Sequence, residues 1–149
     1  MNRILLEVIG ISYSNSQNGA YTLLVGEHGA KKFLPIVIGE AEAQSIVIIL
    51  ENIDHPRPMT YDLMRDITEH YSIKVKEVVI SKFKNGLFYS ELHCEHDGKV
   101  TIFDARPSDA IALALLHKCP IYTYSNVIDE AGINANDIHF ESDCDNDNH

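Results

Sequence analysis

The chain has 149 residues, with 12 Lys+Arg against 22 Asp+Glu, and a formal net charge of −10 with histidine neutral. That length suits one domain, or two small halves sharing a core. At 45% apolar and 23% charged residues, the composition is globular rather than disordered. No apolar run approaches the roughly 20 residues of a bilayer span, and Met1-Asn2-Arg3 before Ile4-Leu5-Leu6-Glu7 is too short and too soon charged for a signal peptide. Cys94, Cys119 and Cys144 are odd in number and irregularly spaced, which fits a reducing cytoplasm better than a disulfide framework. The acidic balance argues against a protein that coats nucleic acid by bulk electrostatics. Glu141, Asp143, Asp145 and Asp147 belong to a terminal stretch without Lys or Arg, so the body keeps 18 acids against 12 bases, or −6.

Taken in chain order, Ile4 to Tyr13 reads as a strand, and Ser14 to Gly19 as a polar turn. Tyr21–Val25 and Lys32–Ile38 read as a hairpin around Glu27-His28-Gly29. Glu40 to Glu51 has the length of a helix, and its apolar run Ile46-Val47-Ile48-Ile49 predicts burial on more than one face. Pro56 and Pro58 exclude helix interior around Arg57. Thr60 then suits an N-cap with Asp62 in the first turn, and Leu63, Met64, Ile67 and Tyr71 form one apolar stripe. Ile73–Phe83 alternates as a strand, and Leu87–His93 with Lys99–Phe103 forms a hairpin around Asp97-Gly98. Pro107 opens a third helix reaching about Lys118. A short strand over Pro120–Tyr124 and a helical turn over Val127–Ala131 complete the body.

These pieces repeat at an offset of 67 residues, which carries Gly19-Ala20-Tyr21 onto Gly86-Leu87-Phe88 and Glu42-Ala43 onto Asp109-Ala110. The pattern predicts an α+β fold: a duplicated strand–hairpin–helix unit with halves at about 1–55 and 60–125, making an antiparallel or mixed sheet packed with a few helices. Residues 1–138 form one domain on this reading, and 139–149 a solvated acidic tail. The run Asp143-Cys144-Asp145-Asn146-Asp147 imitates the start of a calcium loop but lacks the loop's later Gly and Glu.

Asp104-Ala105-Arg106-Pro107-Ser108-Asp109 is the densest polar cluster, at a strand-to-helix junction. On local chemistry alone, capping of the helix, with Asp104 paired to Arg106, is a stronger explanation than catalysis. One helix start needs only one cap, however, and four polar groups crowd there. In His55-Pro56-Arg57-Pro58, the flanking prolines stiffen Arg57, either for holding an anion or merely as a rigid connection. Asp62, Asp104 and Asp109, with Glu42 or Glu40, could supply oxygen ligands to Mg²⁺ or Mn²⁺ in phosphodiester cleavage. An arginine nearby would stabilise the transition state's charge. Lys74, Lys76, Lys82 and Lys84 share one strand face and read either as a phosphate-tracking stripe or as protection of a strand edge. His93-Cys94-Glu95-His96 alternates across a strand, which argues against a closed zinc site. No P-loop, Gly-x-Ser-x-Gly or Gly-x-Gly-x-x-Gly pattern appears.

The blocks Leu34-Pro35-Ile36-Val37-Ile38-Gly39-Glu40-Ala41-Glu42-Ala43, Pro56-Arg57-Pro58-Met59-Thr60-Tyr61-Asp62-Leu63, Gly86-Leu87-Phe88-Tyr89 and Asp104 to Ala114 together resemble the bifunctional nuclease family. They follow the family's order and span roughly residues 1–130. The resemblance implies a small α+β domain that degrades DNA and RNA. Members often have His after the Thr of the Pro-Arg-Pro block, where this chain has Tyr61, so a base at that place would need replacement by His55 or a metal-bound hydroxide. Many members also carry a C-terminal helical motif where this chain has its acidic tail. The expected roles follow. Asp62, Asp104, Arg106 and Asp109 are catalytic, Arg57, Thr60 and Ser108 bind substrate, and Asp62, Asp104, Asp109 and Glu42 bind a divalent metal. DNA and RNA are the expected substrates of a cytoplasmic homo-oligomer without membrane contact. The competing expectation is a non-enzymatic oligomeric module whose arginine–carboxylate clusters are buried and mutually paired.

Overall fold

The computed structural model describes residues 2–14 and 20–137. Most of the expected Ser14–Gly19 turn, the acidic tail and the calcium-loop-like run lie outside them. The elements run β1 (Arg3–Ser14), β2 (Ala20–Gly26), β3 (Lys32–Ile38), α1 (Glu40–Leu50), α2 (Thr60–His70), β4 (Lys74–Lys84), β5 (Leu87–His96), β6 (Lys99–Ala105), α3 (Pro107–His117), β7 (Ile121–Tyr124), α4 (Ser125–Ala131) and β8 (Ile133–Asn134). The fold is α+β: one eight-stranded mixed sheet, ordered β6-β5-β4-β7-β1-β2-β3-β8, packed with four helices. Its β4–β7 pair is parallel, and the remaining neighbours are antiparallel. Among the described residues no helix is long and apolar enough to cross a membrane.

The 67-residue offset, the separation of Glu40 from Pro107, carries α1 onto α3 end to end and β3 onto β6 end to end. Two hairpins of the second half turn on residue pairs with positive φ, Asn85-Gly86 and Asp97-Gly98. Both central positions of such a tight turn lie in the left-handed region, which Asn, Asp and Gly tolerate best. α4 touches both β3 and β4, which have three strands between them in the sheet order, so the sheet must curl around the helices. The core inside that curl joins Leu23, Val25, Leu34 and Ile36 of the first half to Val78, Ile80 and Ala110–Ala112 of the second.

α1 differs from expectation. Only Ala43 and Ile46 are buried, while Val47 and Leu50 stay exposed. The helix buried on all sides through its middle is its counterpart α3, whose residues Ala110–Ala114 are all buried because α1, α2 and the sheet surround it. α2 also departs from the simple amphipathic reading, since it has no buried residue and Leu63, Met64, Ile67 and Tyr71 are all exposed. β4 lies between β5 and β7 in the sheet order, but β7 pairs only with Val78–Ile80, so the four lysines flank the doubly paired stretch, and Lys76 pairs with Glu95 at 3.0 Å. His93 and Cys94 do point to opposite sides, with Cys94 buried and His93 between Glu77 and Glu91.

Candidate active site

Three helices begin near one another, and each carries an acid at its third position: Glu42 in α1, Asp62 in α2 and Asp109 in α3. A carboxylate there meets the partial positive charge of unpaired N–H groups, which favours its ionised form. These acids fall into two separate clusters.

The first cluster centres on Arg106, the residue just before α3. Its Nε donates to Asp109 Oδ2 at 2.9 Å and its Nη2 to Asp109 Oδ1 at 3.1 Å, a forked pair. Its Nη1 donates to Glu42 Oε1 at 3.3 Å across the two halves. Tyr61, from the first turn of α2, donates its hydroxyl to Asp109 Oδ1 at 2.6 Å. Burial pushes the Asp109 carboxyl up, but the hydrogen bonds from Arg106 and Tyr61 outweigh it and hold the group below its ordinary range. Burial and the bond to Asp109 push the Tyr61 phenol up, so it stays protonated and donates. Asp109 raises the Arg106 pKa further, and the guanidinium is permanently charged.

The Arg106 side chain is nevertheless 65% exposed. Of its five N–H donors, three are used within the cluster, and two are left for a ligand. It stands between two adjoining hollows. One, of about 680 Å³, is lined by Glu42, Thr60, Tyr61, Asp104, Arg106 and Asp109 among others. The second, of about 580 Å³, runs from the end of β3 past Glu42, Asp104, Arg106 and Ser108 to Gly86-Leu87-Phe88-Tyr89.

The second cluster lies on the other side of the α2 start. Asp62 Oδ2 accepts the Met59 backbone N–H at 2.8 Å and a His55 Nε2–H at 2.7 Å. The Met59 bond, followed by that from His55, lowers the Asp62 pKa against desolvation. His55 Nδ1 lies 3.0 Å from the Ile53 carbonyl oxygen. A carbonyl and a carboxylate both accept, so both imidazole nitrogens donate and His55 is an imidazolium, with its pKa raised first by Ile53 and then by Asp62. Arg57 lines a third hollow of about 370 Å³ beside this cluster and ion-pairs with none of the described residues.

Set against the sequence, Glu42, Asp104, Arg106 and Asp109 share one hollow, as expected, with Thr60 on its wall. Arg106 pairs with Asp109 and Glu42, however, and not with Asp104, whose carboxylate bonds none of the described residues. Asp62 is drawn into the His55 cluster, so the four proposed metal ligands do not converge as one set. No group of three or more His, Cys, Asp or Glu among the described residues is arranged to hold a metal. Met59, and not Thr60, is the N-cap of α2, because Asp62 reaches back to the Met59 N–H and closes the turn one residue earlier. Ser108 is buried in the first turn of α3 on the wall of the second hollow. His55 cannot stand in for Tyr61, since its ring is fixed on Asp62 and Ile53. Tyr61 itself occupies the cluster, and the motif position was the only signal for it in the sequence.

Fold and site together define a class: an α+β domain in which two helix starts, related by the internal offset, present acids to one exposed arginine. Residues 23–136 match the Bifunctional nuclease domain, and the chain belongs to that family. It is 38% identical over 128 residues to an uncharacterized protein of Mycobacterium tuberculosis, covering 86% of this chain and 76% of that protein. It is 33% identical over 98 residues to Bifunctional nuclease 1 of Oryza sativa subsp. japonica, covering 64% of this chain and 30% of the rice protein. Against Bifunctional nuclease 1 of Arabidopsis thaliana the identity is 28% over 98 residues, with the same coverage of 64% and 30%. The chain thus spans about a third of the length of the plant relatives it matches.

Proposed function

We propose that the chain hydrolyses phosphodiester bonds of DNA and RNA with low sequence specificity at the hollow around Arg106. The observation that carries this is Arg106 itself, an exposed guanidinium locked by two carboxylates with two donors free. A pre-positioned cation of this kind stabilises charge developing on a phosphoryl group, because it needs no reorganisation during reaction. Family membership and the plant relatives named as bifunctional nucleases support the same chemistry.

Within this reading Asp109 is a positioning residue. Its oxygens are taken up by Arg106 and Tyr61, which makes it a poor base and a good anchor. Asp104 is the carboxylate left free to engage an attacking water, directly or through a bound ion. Thr60 and Ser108 line the two hollows on either side of Arg106 and contact the strand of substrate. Arg57 and His55 form a separate cationic edge that holds a phosphate further along the chain.

The donor set fits a divalent ion on charge rather than on a protein-built cage. Glu42, Asp104 and Asp109 against Arg106 leave a formal −2, and a phosphodiester adds another −1. Mg²⁺ takes one or two carboxylates and completes its shell with water and substrate oxygens, so Asp104 is the residue that would hold it. Such an ion would neutralise the phosphate and acidify a bound water. Cleavage of plasmid and of RNA, with Mg²⁺, Mn²⁺ or EDTA, tests the proposal in wild type, Asp104→Asn and Arg106→Ala. Full activity in both purified variants would remove the site assigned here, and full activity in EDTA would remove the ion.

A further inference from the structure

We propose that the chain forms a two-fold dimer in which β6 pairs antiparallel with β6 of a second copy, centred on Thr101. The two sheet edges are not alike. At one end β3 is covered by β8, which pairs at Lys32 and Phe33, and Pro35 removes a donor beyond that point. At the other end β6 has seven residues, no proline, and six exposed positions, among them Val100, Ile102 and Phe103 at 50–54%. Edge strands that stay free are usually short, charged along their length or interrupted, whereas β6 keeps its two charges, Lys99 and Asp104, toward its ends and is uncharged from Val100 to Phe103.

The internal offset says what belongs there. Lys32 and Phe33 of β3 correspond to Lys99 and Val100 of β6, so the fold already adds an antiparallel strand at the equivalent place in its first half. In the second half no described element does so. An arbitrary peptide could fill the gap, but β6 is complementary to itself. Two-fold antiparallel pairing centred on Thr101 sets Val100 against the partner's Ile102 and Ile102 against the partner's Val100. The apolar pair Phe33–Ile133 of the β3–β8 edge has its match in these contacts. Centring on Ile102 would instead set Val100 against the partner's Asp104, an apolar residue facing a carboxylate.

The apolar surface also continues beyond the strand. Phe103 is the cross-strand neighbour of Leu92, which lines the 680 Å³ hollow with Met64 of the exposed α2 stripe. A strand pair alone is small for a stable interface, and Phe103, exposed on the other face of β6 from Val100 and Ile102, adds apolar area to it. In the same register the partner's Lys99 lies opposite Phe103, beside Asp104 and Ala105 at the mouth of the hollow. The pairing therefore brings positive charge to an acidic site.

Sedimentation and disulfide trapping decide the matter on the full chain. Wild type is expected to sediment as a dimer. Val100→Lys with Ile102→Lys, both at exposed positions, is expected to weaken it by about 100-fold or more through facing like charges, while its circular dichroism stays native. In a Cys94→Ala, Cys144→Ser background, which removes the thiol paired with position 101 across β5 in the same chain, Thr101→Cys is expected to cross-link between copies on oxidation, since directly paired Cα atoms fall within disulfide reach. Phe103→Cys is expected not to cross-link, its symmetry mate lying four residues away along the strand, about 13 Å. A monomeric wild type, a dimer that survives the lysine pair, or equal cross-linking at both cysteines would each overturn the proposal.

Discussion

The two halves of this chain build the same corner from different residues. In the first, β3 leads through Gly39 into α1. In the second, β6 leads through Arg106 into α3, at the same offset. Both helices place an acid at their third position, Glu42 and Asp109. Gly39 has no side chain, and the Glu42 carboxylate folds into the space a Cβ would fill. Arg106 has a long one, and it reaches both acids. The difference between a glycine and an arginine at one corner turns two ordinary helix starts into one charged cluster. The same contrast holds for covering: α3 is enclosed and α1 is not, while among the described residues β3 is paired outside and β6 is not.

The comparison can be broken most directly at Arg106. Arg106→Ala is expected to lower nuclease turnover by about 100-fold or more, with little loss of thermal stability because the side chain is exposed. A large drop in melting temperature with activity retained would make the cluster structural instead.

Gly39→Ala probes the other corner. The backbone there has φ of −75°, which alanine adopts freely, so the new Cβ acts by displacing Glu42 from Arg106. A fall in activity of about tenfold is expected, equal to about 1.4 kcal/mol of lost positioning, together with a stability change below about 1 kcal/mol. Unchanged activity would show that Glu42 does not help to hold Arg106.

Tyr61→Phe removes one hydrogen bond from Asp109 and is expected to cost about 1 kcal/mol in chemical denaturation. It should also reduce activity only several-fold, since Arg106 keeps its fork on Asp109. Loss as complete as that of Arg106→Ala would make Tyr61 a catalytic residue.

The smallest effect concerns pH. Asp62 has a lowered pKa, so its contribution is full above the unfolded value of 3.8 and is lost as pH falls through the folded value. His55 has a raised pKa, so its contribution is full below the unfolded value of 6.5 and is lost as pH rises through the folded one. The pair is therefore complete between about pH 4 and 6.5. An NMR titration of the His55 ring should show a midpoint above 6.5 that drops in Asp62→Asn.

Much of this was legible before folding. The alternation of β3 and β4, the Asp97-Gly98 turn and Pro107 at the head of α3 are local signals, fixed by backbone sterics and hydrogen bonding. The Arg106–Asp109 contact could also be anticipated, because residues three apart at a helix start are neighbours. The α2 stripe was misleading, since periodicity shows that a face is apolar and not what covers it. The expected four-carboxylate ligand set failed for a similar reason. Asp62 had two nearby donors, the Met59 N–H and His55, and these local partners took it out of the shared hollow.

The charge of −10 and the order of elements belong to the sequence alone, as does the repeat that sets Glu42 over Asp109. Tertiary structure decided which of those charges meet. Glu42 and Arg106 are far apart in the chain and touch only because α1 and α3 pack together within the curled sheet. It also decided that, among the described residues, β3 is closed by β8 and β6 is not, because pairing at an edge depends on where the chain returns, and β8 returns to the first half.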